Sequence, residues 1–160
     1  MSQELEIVLT PSGRDKLEQK LDHLRSVQRR EVAERIRDSR QFGDLAENAE
    51  YEDAKTEQAL VESQIHEIRR VLQIAQVLEH ADIPTDHIGI GSRVTMTNQE
   101  TDDEWELTLV SSVEADPDND LISDESPVGE ALMDKRVGDI VVIYVPNGTL
   151  RYRIDSIGKG

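Results

Sequence analysis

The sequence has 160 residues, of which 36% are hydrophobic and 32% charged, with a formal net charge of −16 and no cysteine. An aromatic content of 3% excludes a large aromatic core, and the lack of cysteine excludes disulfides and thiolate metal sites. No apolar run approaches the roughly 18 residues of a membrane span, and the first ten residues lack the features of a secretory signal. We therefore expect a cytoplasmic protein that makes no membrane contact.

The negative charge is concentrated in the second half of the chain. Residues 1–80 contain 12 basic and 17 acidic residues, whereas residues 81–160 contain 6 basic and 17 acidic residues. Phosphate contacts dominate the affinity of proteins for nucleic acid, and they require a basic surface. The second half therefore favours a protein partner over free nucleic acid.

A long helix is predicted over residues 11–42. Thr10 and Pro11 have the pattern of an N-cap followed by proline at the first helical position. Gly43 is the only glycine between Gly13 and Gly89, so it is the predicted turn after this helix.

A second long helix is predicted over residues 45–79. Two sets of its residues recur every seven positions, as expected of a coiled-coil seam: Tyr51, Gln58, Ile65 and Leu72, and Ala54, Val61, Ile68 and Ala75. Two helices joined by a short turn should pack as an antiparallel hairpin. On the surface of the first helix, Glu31 and Arg35 are spaced for an i,i+4 ion pair.

The remainder of the chain predicts a small α+β domain. Pro84 and two glycines interrupt the helical period and indicate a linker at 80–91. Strands are predicted at 93–97, 104–110, 140–145 and 151–157, with a turn at 146–148 and a short helix at 126–133. The predicted α+β fold thus has a coiled-coil domain at 1–79 with an acidic tip at 43–51, a linker at 80–91 and a second domain at 92–160.

The tip carries the most distinctive chemistry of the sequence. Five of the ten residues from 44 to 53 are acidic, and Arg37, Arg40 and Lys55 form a basic collar behind them. Carboxylates suit Mg²⁺, which usually binds one or two of them together with waters and phosphates. Asp44 and Glu47 also have the spacing of a helix capping box, so the local sequence permits either role.

Strings throughout the chain resemble the Gre family of bacterial transcript-cleavage factors. The most specific is the tip: Gly43-Asp44-Leu45-Ala46-Glu47-Asn48-Ala49-Glu50-Tyr51, followed by Ala54-Lys55. The second half matches in order and spacing: Glu114-Ala115-Asp116, Ile122-Ser123, Ser126-Pro127, Ala131-Leu132, Val137-Gly138-Asp139, Val145-Pro146-Asn147-Gly148 and Tyr152-Arg153-Ile154. The chain departs from the family pattern at Glu130, where a basic residue is common, and at Asp134, where glycine is common.

The resemblance implies a transcription elongation factor that binds bacterial RNA polymerase. The coiled coil would enter the secondary channel, and an FKBP-like second domain would dock at the channel mouth. The docking residues implied are Ser123, Asp124, Ser126 and Pro127. We expect a monomer that is not itself an enzyme but activates the endonucleolytic activity of the polymerase on backtracked RNA, and so rescues arrested complexes.

The resemblance also implies roles at the tip. Asp44 and Glu47 would be the catalytic residues, sharing Mg²⁺ with the polymerase active site, and the protein would need no cofactor of its own. Arg37, Arg40 and Lys55 would contact the nascent RNA 3′ end or the channel wall. Two alternatives remain: a paralogue of the same fold that occupies the channel and inhibits, and a coiled-coil adaptor or chaperone.

Overall fold

Two compact units make up the protein. The computed structural model describes residues 7–40 and 45–160, with side chains for 7–40 and 49–160. One unit is Arg14–Ile74, and the other joins Met1–Gly13 to Ala75–Gly160. The first is helical and the second is built around a sheet, so the α+β prediction is confirmed. Among the described residues, no helix is both long and apolar enough to span a membrane.

The helical unit is a hairpin whose arms pack through a narrow apolar seam. Its first arm runs through α1 (Pro11–His23), a π-helical turn (Leu24–Gln28) and α2 (Arg29–Arg40), and its second arm is α3 (Leu45–Ile74). The buried side chains of the seam come from both arms: Leu24, Val32, Ile36, Ala54, Val61, Ile65 and Ile68. The sequence periodicity therefore placed the buried face of α3 correctly.

Ion pairs between the arms show that they run in opposite directions. The guanidinium of Arg29 binds both carboxylate oxygens of Glu62 at 2.8 Å, and Arg35 pairs with Glu57. The residue number falls on α3 as it rises on the first arm, which defines an antiparallel pair. The prediction that Arg35 pairs with Glu31 was wrong, because the facing helix offers Arg35 a carboxylate across the seam.

The second long helix ends five residues earlier than predicted. After Ile74 the chain forms a short strand, β2 (Gln76–Val77), parallel to β1 (Val8–Leu9). The amide of Gln76 donates to the carbonyl of Ile7, and that of Leu78 to the carbonyl of Leu9, each at 2.8 Å. Both ends of the predicted 1–79 domain thus belong to the sheet unit, because strand pairing competes with continuation of the helix.

The predicted linker at 80–91 is a packed part of the sheet unit. Ile83 is 2% exposed and Ile88 is fully buried in the core. The amide of Ile88 donates to the carbonyl of Lys135, and the carbonyl of Ile88 accepts from the amide of Asp134, both at 2.9 Å. Pro84 and the neighbouring glycines therefore lie in a packed loop and not in a flexible linker between domains.

A five-stranded sheet forms the frame of this unit. Its strands are β3 (Ser92–Asn98), β4 (Glu104–Val110), β5 (Leu121–Ser123), β6 (Ile140–Val145) and β7 (Gly148–Lys159), in the spatial order β5-β4-β3-β7-β6. All neighbours are antiparallel except β4 and β5. The four predicted strands and the turn before Gly148 are confirmed, whereas β5 was not predicted. The short helix α4 (Pro127–Leu132) lies within the predicted 126–133.

One face of the sheet carries the core of the unit. Buried side chains alternate along the strands and meet Leu132 of α4 and Ile88: Val94, Met96, Leu107, Leu109, Val141 and Ile154. Intervening residues such as Arg93, Glu104 and Glu106 are exposed. The sheet therefore has a packed face and an open face, as antiparallel sheets often do.

Glu114 anchors the start of the first helix to the sheet unit. Its carboxylate accepts hydrogen bonds from the Thr10 amide at 2.8 Å and the Thr10 hydroxyl at 2.7 Å. The Thr10 hydroxyl oxygen in turn accepts from the Gly13 amide at 3.0 Å, which confirms Thr10 as the N-cap. A Cβ on Gly13 would lie 1.9 Å from the Glu114 carboxylate, so only glycine leaves room for this contact.

Substituting Glu114 by Ala is expected to destabilise the folded protein by about 1.5–3 kcal/mol, since two hydrogen bonds to a charged, partly buried carboxylate are lost. The free energy of unfolding, measured by urea denaturation of both proteins, tests this. Asp118→Asn, an exposed acidic substitution nearby in the chain, serves as the control and should change stability by less than about 0.5 kcal/mol. Equal stability of Glu114→Ala and wild type would contradict the anchoring role.

Candidate functional site

The two predicted catalytic residues, Asp44 and Glu47, differ in what the structure describes. Asp44 lies outside the described residues. The backbone of Glu47 lies in the first turn of α3, which begins at Leu45. The structure therefore gives no side-chain geometry for either residue, and their catalytic roles stay predictions.

The predicted basic collar lies on both arms next to this turn. Arg37 and Arg40 are in the last turn of α2, and Lys55 is on α3. The Arg40 guanidinium lies 5.5 Å from the centre of the Tyr51 ring, and its Nη2 is 3.4 Å from the Tyr51 hydroxyl. Lys55 donates to the Gln58 side chain at 3.1 Å. Arg37, Arg40 and Lys55 are all exposed, so the three cations remain accessible to an anion.

Tyr51 is a residue of this region whose second role the sequence analysis missed. Its ring packs at the end of the apolar seam, as the heptad pattern predicted. It also holds Arg40 through a cation–π contact and a long hydrogen bond. The hydrogen bond from Arg40 is the main cause of a lowered pKa of the Tyr51 hydroxyl. An aromatic residue at the seam position nearest the turn, opposite an arginine, was the signal available in the sequence.

The four predicted docking residues lie together where β5 leads into α4. The Ser126 hydroxyl donates to the Ser123 carbonyl at 2.6 Å and accepts from the Gly129 amide at 3.0 Å, so Ser126 is the N-cap of α4. Pro127 occupies the first helical position. The Asp124 amide donates to the carbonyl of Val110 at 2.9 Å, which fixes the loop to β4. We call residues 123–127 the docking loop, after the role that the sequence analysis predicts for them.

Gly129 allows the docking loop to fold tightly against its own helix. A Cβ at Gly129 would lie 1.9 Å from the Ser123 carbonyl oxygen and 2.8 Å from the Asp124 Cα. Both are backbone atoms, which cannot rotate away as a side chain can. The shape of the docking loop therefore depends on glycine at this position.

The two departures from the family pattern lie on and just after α4. Glu130 is exposed on the helix. Asp134 has a φ of 66°, in the left-handed region that glycine adopts most readily and aspartate tolerates. Asp134 thus adopts a backbone conformation that glycine, the residue expected there from the resemblance, would take most readily.

The described residues contain no cluster of three or more His, Asp or Glu side chains arranged to hold a metal ion. The side chains of the acidic tip from Asp44 to Asn48 lie outside that description.

The sequence of both units matches the models of one family. Residues 7–77 match the family described as "Transcription elongation factor, N-terminal", and residues 83–159 match "Transcription elongation factor, GreA/GreB, C-term". The chain belongs to the GreA/GreB family of transcription elongation factors.

Within the family, the similar curated proteins carry the name GreA. Transcription elongation factor GreA of Syntrophomonas wolfei is 48% identical over 159 residues, covering 99% of this chain and 100% of that protein. GreA of Acetivibrio thermocellus is 47% identical with the same coverage. Among solved structures, GreA factor homolog 1 (Gfh1) of Thermus thermophilus is 30% identical, covers 96% of this chain and 99% of that chain, and has a TM-score of 0.45.

Proposed function

We propose that this elongation factor binds bacterial RNA polymerase through its secondary channel and stimulates the polymerase's own cleavage of backtracked RNA. The observation that carries the proposal is the acidic string at 43–51, which continues in the sequence into the start of α3, together with cations on both arms of the antiparallel hairpin. Similarity to GreA proteins over 99% of the chain supports it.

The hairpin would deliver carboxylates to a site that it cannot form alone. Asp44 would help to hold Mg²⁺ that is shared with the polymerase active site, and Glu47 would orient the attacking water and accept its proton. Mg²⁺ bound there would stabilise charge on the attacking and leaving oxygens of the phosphodiester. The donor set fits this role, since Mg²⁺ is usually held by one or two protein carboxylates with substrate phosphates completing its shell.

The basic collar would hold the RNA backbone beside these carboxylates. Arg40 presents its guanidinium at a position fixed by Tyr51, which reduces the conformational freedom lost on binding a phosphate. Arg37 and Lys55 are exposed and would contact the RNA 3′ segment or the channel wall. The docking loop would supply contacts with the polymerase at the channel mouth.

The protein alone is expected to leave RNA intact, because its two tip carboxylates are too few for a tight Mg²⁺ site and its net charge of −16 repels RNA. Labelled RNA incubated with the protein and Mg²⁺ tests this, and metal-dependent cleavage that persists through purification would contradict it. Added to a backtracked elongation complex, the protein should shorten the RNA from its 3′ end. Polymerase binding with slowed elongation and no shortening would favour an inhibitory paralogue, and no polymerase binding would favour an adaptor.

A further inference from the structure

The outer row of the edge strand β6 is apolar where a solvent-facing row is normally polar. Val141 and Ile143 point into the core, and their neighbours Ile140, Val142 and Tyr144 are 55%, 36% and 75% exposed on the open face. A sheet with one wet face usually alternates apolar inward and polar outward residues. Strand β6 is apolar on both faces, so the stability of this unit alone does not explain its outer row.

Exposed apolar side chains are concentrated at this edge of the sheet. Of seven large hydrophobic residues that are exposed in the described parts of the chain, four lie between positions 137 and 144: Val137, Ile140, Val142 and Tyr144. Single exposed apolar residues are ordinary, whereas a contiguous group with a polar border is typical of a binding surface. This row is therefore a candidate interface.

A basic row borders the apolar row on the same face. Arg153 lies directly opposite Ile140, and Arg151 directly opposite Val142, in the antiparallel register of β6 and β7. Directly opposite residues project from the same face of a sheet. Arg153 pairs with Asp155 at 2.9 Å, and among the ion pairs of the described residues none includes Arg151. Residues 81–160 contain only 6 basic residues against 17 acidic ones, so two adjacent arginines beside an apolar row form a local reversal of charge.

We propose that the open face of β6 and β7 is a docking site for an acidic amphipathic helix of a protein partner. A helix is about 10 Å wide and neighbouring strands are about 4.8 Å apart, so one helix covers both rows. Its apolar stripe packs on Ile140, Val142 and Tyr144, and its carboxylates reach Arg151 and Arg153. A second copy of this chain fits less well, since the same face of each copy would bring Arg151 and Arg153 against the same two arginines of the other.

This surface is separate from the docking loop. The loop follows β5, and β5 and β6 are the two opposite edges of the sheet. The proposal therefore does not depend on the docking loop or the acidic tip, and its failure would leave the proposed function untouched.

The test uses the full chain and two designed helical peptides in fluorescence anisotropy. Both peptides carry the same leucine stripe, and the opposite face is glutamate in one and lysine in the other. The glutamate peptide is expected to bind at least about tenfold more tightly than the lysine peptide, and less tightly at high salt. The double variant Val142→Thr with Tyr144→Thr, and separately Arg151→Glu, should each weaken binding about tenfold. Val113→Thr, which removes an exposed apolar residue outside the sheet, should leave it unchanged.

Several results would overturn the proposal: no binding of the glutamate peptide, equal binding of both peptides, or binding that survives both variants. Binding of single-stranded RNA that is lost in Arg151→Glu would assign the basic row to nucleic acid instead. Sedimentation that shows a dimer of the wild type, dissociated by the double variant, would assign the surface to a second copy. Circular dichroism checks the fold, and Arg151→Glu decides alone if the double variant does not fold.

Discussion

Replacing Asp44 by Asn is expected to remove most stimulation of RNA cleavage while the protein stays folded and still binds polymerase. Asparagine caps a helix about as well as aspartate, so a residue that only caps should tolerate the change. A metal ligand loses its negative charge, and even the partners of metal ligands cost on the order of 10- to 100-fold when removed. The measurement is the rate of RNA shortening in a backtracked complex at saturating protein, and raised Mg²⁺ should recover part of the loss.

Glu47→Gln applies the same logic to the second carboxylate and acts as a companion to Asp44→Asn. Glutamine can close a capping box but cannot take a proton from water. A thermal melt and a polymerase-binding assay on both variants separate lost chemistry from lost folding or docking. Cleavage at the wild-type rate in both variants would return Asp44 and Glu47 to a purely structural role in starting α3.

Substitution of Asp124 or Pro127 by Ala is expected to weaken polymerase binding by roughly tenfold with little change in stability. The Asp124 amide keeps its hydrogen bond to the Val110 carbonyl, and alanine is compatible with the first helical position that Pro127 occupies. Gly129→Ala should weaken binding and also destabilise the protein by about 3 kcal/mol, since its Cβ would overlap the Ser123 carbonyl, only 1.9 Å away. Binding by titration and unfolding by urea measure the two effects separately.

Gly158→Ala is the matched control for Gly129→Ala. A Cβ at Gly158 meets no atom within 4 Å, and the change adds the same methyl group to the same unit. It should leave both stability and binding close to wild type. Unchanged polymerase binding in Asp124→Ala, Pro127→Ala and Gly129→Ala together would exclude the docking loop as the contact surface.

Local patterns were sufficient for most of the secondary structure. The strands Glu104–Val110 and Ile140–Val145 have the predicted bounds, because alternation and flanking turn residues are encoded within each segment. The buried positions Val61, Ile65 and Ile68 followed from helical periodicity alone. Thr10 and Pro11 marked the start of the first helix for the same reason: capping depends on residues that are adjacent in the chain.

Contacts between distant parts of the chain account for the errors. The end of α3 at Ile74 depends on the pairing of Gln76 and Val77 with Val8 and Leu9, which no local pattern reports. Ile88 is buried through bonds to residues near 135, so composition alone made 80–91 resemble a linker. Arg35 pairs with Glu57 on the facing helix rather than with Glu31 on its own helix.

The residues of the candidate site were proposed from the sequence, whereas the contacts among them required the structure. The string from Gly43 to Tyr51 is specific enough to indicate the family from the sequence alone, and the docking role of residues 123–127 is a prediction made in the same way. The link between Arg40 and Tyr51 required the structure, because the two residues lie on different helices and meet only when the arms pack. The requirement for glycine at position 129 follows only from the position of the Ser123 carbonyl oxygen in the structure.

The sheet unit joins residues from before and after the hairpin in the chain, and this order affects folding during synthesis on the ribosome. Thr10 emerges early, whereas its acceptor Glu114 is 104 positions later, a delay of roughly 5–20 s at ordinary bacterial translation rates. The nascent hairpin, Arg14–Ile74, has all its own packing partners and is free to form during that delay. The capping bond from the Gly13 amide to the Thr10 hydroxyl is local, but the amide and hydroxyl of Thr10 lack their carboxylate acceptor until the last third of the chain arrives. We expect a chain released before residue 114 to contain a folded hairpin whose beginning is frayed.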